Sequence, residues 1–314
     1  MKQLWQRYVS FWNETEAPET LGAVRITFGL ALLANILEQL LHTDVLELYA
    51  DPSAGGIFSG TSGSWSSIFS YLPATAEVVY GVAVVHLLGA LLLTVGLFSR
   101  LSALLALVTY HSLAGRMYMY RFDADTVYLV FLWLFVLAPS GSWGSLDARW
   151  RGTAAALIPA WPRRLMIAQL TIIYVRTGLI KMGSTWSFSD GWSALYYALN
   201  LPGLARWPGD WVVMVYPLSQ VATFVAKWWE ITFLIVPLSL YFQRTPSHHL
   251  LRRVLAWQGW RPLYLGVGML MHLSLILVMN LGLFPIVMMA VYPCLARPEE
   301  VRRLLQRVMP SQPS

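Results

Sequence analysis

Long apolar runs, separated by short polar stretches that carry Gly and Pro, set the layout of this 314-residue chain. A helix rises about 1.5 Å per residue, so crossing a bilayer core of about 30 Å takes about 20 mostly apolar residues. On that rule membrane helices are expected at 20–42, 76–98, 101–118, 123–140, 164–182, 212–241 and 263–293. The last two runs are longer than one crossing needs. Pro217 is expected to break the first of them and the stretch from Asn280 to Pro285 the second, which raises the count from seven to eight or nine. The pattern therefore predicts an all-α, polytopic transmembrane helix bundle of seven to nine membrane segments, forming one domain over 1–314. Two stretches, 45–74 and 191–207, mix Gly and Ser with spaced apolar residues (Ile57, Phe58, Trp65, Ile68, Phe69 and Tyr71 in the first), the pattern of amphipathic segments lying at the interface. Residues 1–18 read as an N-terminal interfacial segment and 295–314 as a short basic tail.

Composition agrees with lipid as the solvent. Hydrophobic residues make up 57% of the chain and charged residues 12%, about half the share usual in a soluble domain. One cysteine, Cys294, excludes an intramolecular disulfide framework and a cysteine-rich metal site. The net charge of +6 comes from short basic clusters between apolar runs, which fits membrane topology better than nucleic-acid binding. Lys2 and Arg7 precede the first run, whereas the loop 43–75 carries Asp44, Glu47 and Asp51 and no Lys or Arg. By the positive-inside rule the amino terminus is cytoplasmic and that loop outside. Alternation puts the loops with Arg149, Arg151, Arg163 and Arg164 and with Arg244, Arg252, Arg253 and Arg261 inside as well. After seven crossings the tail, with Arg297, Arg302, Arg303 and Arg307, falls outside, against the rule; an extra crossing or a re-entrant piece in 263–293 would restore agreement. The first 18 residues lack the apolar core and cleavage site of a signal peptide.

Against this background, ionisable residues inside apolar runs stand out, because a charge at a helix centre costs about 2.5–3.5 kcal/mol on insertion scales. Lys181 ends an apolar helix on the outer side, where the charge rule disfavours it, and an aromatic segment with Trp186, Asp190, Gly191, Trp192, Tyr196 and Tyr197 follows. Desolvated under such a cover, its amine would lose charge and become able to take a proton; a lysine snorkelling to the interface is the alternative. Tyr174, seven residues earlier, shares its helix face, and Arg176 faces elsewhere. Glu230 either pairs with Lys227 three residues before it or, flanked by Trp228 and Trp229, faces the bundle interior. Arg25 either bonds a carbonyl or snorkels, or is a buried counter-charge for Glu230 or Asp125. Asp125, in Arg121-Phe-Asp123-Ala-Asp125, stands at a helix start where acidic residues act as caps, and Asp147 reads as a turn or cap residue. His86, His111 and His272 lie in different runs with no i, i+4 pairing, so no metal site is expected. His272, with Asn280 two turns on, is either a structural histidine or a catalytic one.

The run Tyr174-Val-Arg-Thr-Gly178-Leu-Ile-Lys181, then Trp186, then Asp190-Gly191-Trp-Ser-Ala194-Leu-Tyr-Tyr197, resembles the core motif of the HTTM (horizontally transferred transmembrane domain) family, related to vitamin K-dependent gamma-carboxylases. Arg25, the Asp125 helix ending in Pro139, Ser145-Leu-Asp147, Glu230, and His272 with Gly282-Leu-Phe284-Pro285 follow in the expected order, so the resemblance spans roughly 20–295. It implies a lysine base acting on vitamin K hydroquinone or menaquinone, with Lys181 as that base and His272 and Glu230 assisting. Arg25, Asp125, Trp186, Trp192 and Tyr196 would then line the cofactor site. Carboxylases, however, carry a lysine pair where Ile180-Lys181 stands, an Asn-His where Asp125-Thr126 stands, and a large extramembrane domain after the membrane part. Short bacterial members similar to sporulation-delaying protein B imply a second role, maturation or export of a secreted peptide. The expected partners are the bilayer and either a lipid-soluble quinone or such a peptide.

Overall fold

The computed structural model describes residues 2–57, 67–117, 123–152, 157–207, 209–244 and 249–308. Phe58, Trp65 and Arg121 lie outside them. Apolar runs without internal Gly-Pro punctuation leave the backbone one way to satisfy its polar groups in lipid, the helix. Helices accordingly dominate: Glu19–His42, Ala76–Val95, Ser99–Arg116, Asp123–Leu137, Trp161–Ile180, Tyr216–Thr232, Ile235–Phe242, Trp260–Val278 and Phe284–Val291 are the main ones. Among the described residues, Glu19–His42, Ala76–Val95 and Trp260–Val278 are long and apolar enough to cross a membrane. The pair Tyr216–Thr232 and Ile235–Phe242, bent by 43°, makes a fourth if read as one span. Asp123–Leu137 and Phe284–Val291 are shorter, and Ser99–Arg116 and Trp161–Ile180 do not combine the required length and apolar character.

Pro217 does not break the run it was expected to break. It sits in the first turn of Tyr216–Thr232, where the missing N–H is not needed by the helix. The break falls at Phe233–Leu234, four and three residues before Pro237. A proline at 237 cannot donate to the carbonyl of Phe233, which instead accepts from Val236 N–H at 3.0 Å in a tightened turn. The second expected break is present: Met279 leaves the helix, pairs with Ala205 as an isolated bridge, and Gly282 turns the chain at φ +54° before Phe284.

The chain divides into two compact units, residues 1–166 with 286–314, and residues 167–285. In the first, the four helices from Glu19 to Leu137 pack in sequence order around an aromatic cluster in which Phe28 touches Tyr128, Phe131 and Phe135. The amino-terminal helix Lys2–Asn13 leads into Thr15–Glu16, which pairs antiparallel with Ile158–Pro159. Arg163 donates to both carboxylate oxygens of Glu16, from Nε at 2.8 and 2.9 Å and from Nη2 at 2.7 Å, and Arg164 pairs with Glu14. The carbonyls of Cys294 and Ala296 accept from Arg163 and Thr20, and Arg302 bonds Glu19. The start of the tail therefore shares one end of this unit with residues 14–20 and 158–164. The stretch 45–57 is ordered by a short helix, Val45–Tyr49, capped by Asp44, and by Arg116, which bonds the carbonyls of Tyr49 and Ala50 and pairs with Asp51 at 2.8 Å. Large hydrophobics stay exposed along the helices, Leu88, Leu91, Leu101, Leu104, Ile172, Leu270 and Leu277 among them. An apolar exterior of this extent calls for an apolar solvent.

Candidate functional site

The helices Trp161–Ile180 and Tyr216–Thr232 approach closely at Gly178. A Cβ there would lie 2.8 Å from the Ile231 side chain and 3.0 Å from Glu230 Cβ, so the glycine admits the neighbouring backbone. Three residues on, where the helix has ended, the Lys181 ammonium reaches both oxygens of Glu230, at 2.6 and 2.5 Å. The lysine side chain is 19% exposed and the glutamate side chain 7%. Of the two readings of Lys181, a desolvated amine or a lysine snorkelling to the interface, the structure shows a largely buried side chain facing a buried carboxylate, each offsetting the cost of leaving the other unpaired. Glu230 is not partnered by Lys227. That ammonium bonds the carbonyl of Trp186 at 2.9 Å and lies 5.6 Å from the Trp192 ring, while Lys181 lies 4.7 Å from the Trp186 ring. Trp186 therefore holds both lysines, one by its face and one by its backbone.

The segment after Gly183 forms two short 3-10 turns, Ser184–Trp186 and Phe188–Asp190, and then the helix Ala194–Leu199. Gly191 and Trp192 follow one another in the left-handed region, at φ +60° and +61°. For tryptophan this conformation is costly, and the Trp192 N–H bond to the Ser187 carbonyl and a T-shaped contact with Phe224 hold it. Tyr196 packs on Tyr216.

About two turns before Lys181 on the Trp161–Ile180 helix, aromatic side chains surround a second polar pair. Tyr174 hydroxyl and His272 Nε2 are 3.0 Å apart, both side chains buried. Tyr174, Phe233 and Tyr264 each contact the Trp229 ring, at centroid distances of 4.6, 5.2 and 6.0 Å. Trp229 is 7% exposed, and its indole N–H has no hydrogen-bond partner among the described residues. Buried indole nitrogens ordinarily find an acceptor, and an unmet donor costs about 1–3 kcal/mol. The sequence marked Lys181, Glu230, His272, Trp186 and Trp192, which the fold brings into this unit around the ends and faces of three helices. It named Trp229 only as a neighbour of Glu230; Phe233, one turn from Trp229 and Glu230, was the available signal.

Arg25 and Asp125 belong to the other unit. Arg25 is fully buried and donates to the carbonyls of Leu93, Thr94, Trp143 and Gly144, so its partners are the last turn of Ala76–Val95 and the loop beyond Pro139 rather than a carboxylate. Unsatisfied carbonyls at a helix end attract a cation there. Asp125 accepts from Tyr110 hydroxyl at 2.6 Å. His86 Nδ1 lies 2.9 Å from Thr109 hydroxyl. Among the described residues no group of three or more His, Cys, Asp and Glu is placed to hold a metal.

A family model of the HTTM domain matches residues 13–299, nearly the whole chain. The chain belongs to the HTTM family. With its apolar helices, this makes it an integral membrane protein in a bilayer environment. No solved structure matches it. The HTTM match takes in every residue of the ion pair, the aromatic enclosure and the Arg25 site.

Proposed function

We propose that this HTTM protein is a membrane enzyme that binds a lipid-soluble quinone in the unit 167–285 and moves protons at it through Lys181 and Glu230. The observation that carries the reading is the unmet indole N–H of Trp229, buried among aromatic faces and one residue from Glu230. The donor set is of a kind that would hold a flat ring bearing carbonyl or hydroxyl oxygens: Trp229 Nε1 would supply the donor, and Tyr174, Phe233 and Tyr264, now packed on one another and on Trp229, would supply the apolar walls. A bound quinone would supply reversible two-electron chemistry. The chain's part is to position the ring, exclude water and accept the proton. Lys181 Nζ and Glu230 Oε share a short bond, so a proton taken up at one is delivered across about 2.6 Å to the other without moving either chain. Trp186 covers this pair, and the Tyr174–His272 bond forms a second proton-bearing contact within the enclosure.

For the membrane setting we propose the seven to nine segments of the hydropathy pattern, with the shorter helices as partial or re-entrant crossings. Residues 14–20, 158–164 and 294–302 share one end, which gathers the basic amino-terminal, Arg149–Arg164 and tail segments and is supported as the cytoplasmic face by the positive-inside rule.

The test is oxidation of a reduced naphthoquinone under air by purified protein, followed by absorbance. Lys181→Ala and Glu230→Gln are expected to lower the rate by about 10²–10⁴-fold, the usual contribution of an acid–base group. Lys181→Arg should not rescue it, because arginine keeps its proton. A rate unchanged in all three variants would overturn the proposal, and full biological function in a Lys181→Met/Glu230→Met protein would favour the peptide-maturation role instead.

A further inference from the structure

Outside the unit just described, a cleft of about 430 Å³ opens where Ser99–Arg116 begins and Asp123–Leu137 ends. Its lining includes Phe98, Ser99, Arg100, Leu101, Asp147 and Arg151. Both arginines are exposed. Arg100 Nε donates to the carbonyl of Ala138 at 3.4 Å, and Arg151, near enough to Asp147 to favour its charged form, makes no direct ion pair among the described residues. The cleft's carboxylate, Asp147, is already engaged: it accepts from Phe98 N–H at 2.8 Å and from Ser99 N–H and hydroxyl at 3.0 Å each. That leaves the start of the Ser99–Arg116 helix occupied by Asp147, so what the cleft offers a ligand is two guanidinium groups.

The surroundings say what carries the matching anion. Phe98, 56% exposed and held at φ +48°, meets the exposed Trp150 edge-on at 6.4 Å, a pairing suited to the membrane–water boundary. From Arg100 inward, Leu101, Leu104 and Val108 form an exposed apolar row on one helix face. Cations at the boundary with an apolar track beneath them match the headgroup and acyl chain of one molecule.

We propose that this cleft is a binding site for an anionic phospholipid, its phosphate between Arg100 and Arg151 and an acyl chain along Leu101, Leu104 and Val108. A zwitterionic headgroup is disfavoured because its ammonium would meet two guanidinium groups and a carboxylate with its oxygens committed. The site does not depend on the quinone reading.

The test is native mass spectrometry of the full-length protein in detergent with phosphatidylglycerol, phosphatidylcholine or inorganic phosphate added. Phosphatidylglycerol should be retained in preference to phosphatidylcholine, and an Arg100→Gln/Arg151→Gln protein should retain it about thirtyfold less, from the usual worth of two surface cations toward anionic lipid. Arg149→Gln, outside the lining, should behave as the wild type. Equal retention of both lipids, or undiminished phosphatidylglycerol in the double variant, would overturn the site. Inorganic phosphate competing as well as the lipid would show an anion site without the lipid specificity proposed, and would overturn that assignment.

Discussion

At the scale of single residues, the Lys181–Glu230 pair sets the sharpest expectations. Removing one member leaves the other buried and unpaired, which costs about 3–5 kcal/mol in comparable pairs. Lys181→Ala should therefore lower the melting temperature in detergent, and Lys181→Met/Glu230→Met should recover most of the loss while remaining inactive. A double variant as unstable as the single one would show that the ion pair is not what Lys181 contributes. Asp147 gives a pH dependence. Burial pushes its carboxyl up, but donation from Ser99 and Phe98 N–H, the Ser99 hydroxyl and the nearby Arg151 outweigh this, and its pKa lies below the ordinary value of 3.8. A depressed carboxyl stabilises the fold fully above its ordinary value and stops doing so as pH falls through the lowered one. Thermal unfolding should thus become easier below about pH 4 in the wild type, and Asp147→Asn should be less stable at neutral pH and lack that limb. Sequence alone singled out Lys181 because a cation at the end of an apolar helix has few reasons to be there. Spacing alone did not reveal the partner, which lies 49 positions away: it left Glu230 either beside Lys227 or facing the bundle interior, and only the family resemblance set Glu230 alongside Lys181.

Between elements, two glycines fix how helices meet. Gly178 lets Trp161–Ile180 and Tyr216–Thr232 touch, and Gly178→Ala places a methyl group 2.8–3.0 Å from Ile231 and Glu230. Overpacking of this kind costs about 1–3 kcal/mol, and here it also separates Lys181 from Glu230, so activity should fall further than stability does. Comparing the rate with the melting temperature checks this; a parallel loss would mean the contact is merely structural. Gly96, left-handed at φ +71° after Ala76–Val95, would put a Cβ 1.8 Å from the Arg25 guanidinium, so Gly96→Ala should unfold the first unit most readily at that corner. Hydropathy placed the long apolar helices, since apolar runs leave little choice of backbone, but not the short or polar ones such as Lys2–Asn13 and Pro298–Val308. Proline was harder to read. Pro217 and Pro237 look alike in sequence, yet one starts a helix and the other bends the chain before it, because the outcome depends on which carbonyl loses its donor.

For the whole molecule, an apolar exterior, three helices among the described residues able to cross lipid (four if the bent pair is one span) and an HTTM match over 13–299 agree on a bilayer protein. The class was legible because burial in lipid demands composition, and composition is visible in one dimension. The division into two units was not, since the boundaries at 166/167 and 285/286 fall within or beside helices rather than in linkers. Arg25 and Asp125 stand in one unit and Lys181, Glu230 and His272 in the other, a division that depth in an apolar run did not reveal. The central claim is that Trp229 and the ion pair serve a quinone. Mass spectrometry of the lipid extract from protein purified from its native membrane tests it most directly. The account predicts a quinone at near-equimolar amount with the wild type and much less with Trp229→Phe at equal fold stability. A wild-type extract without quinone, or the same amount from both proteins, would contradict it.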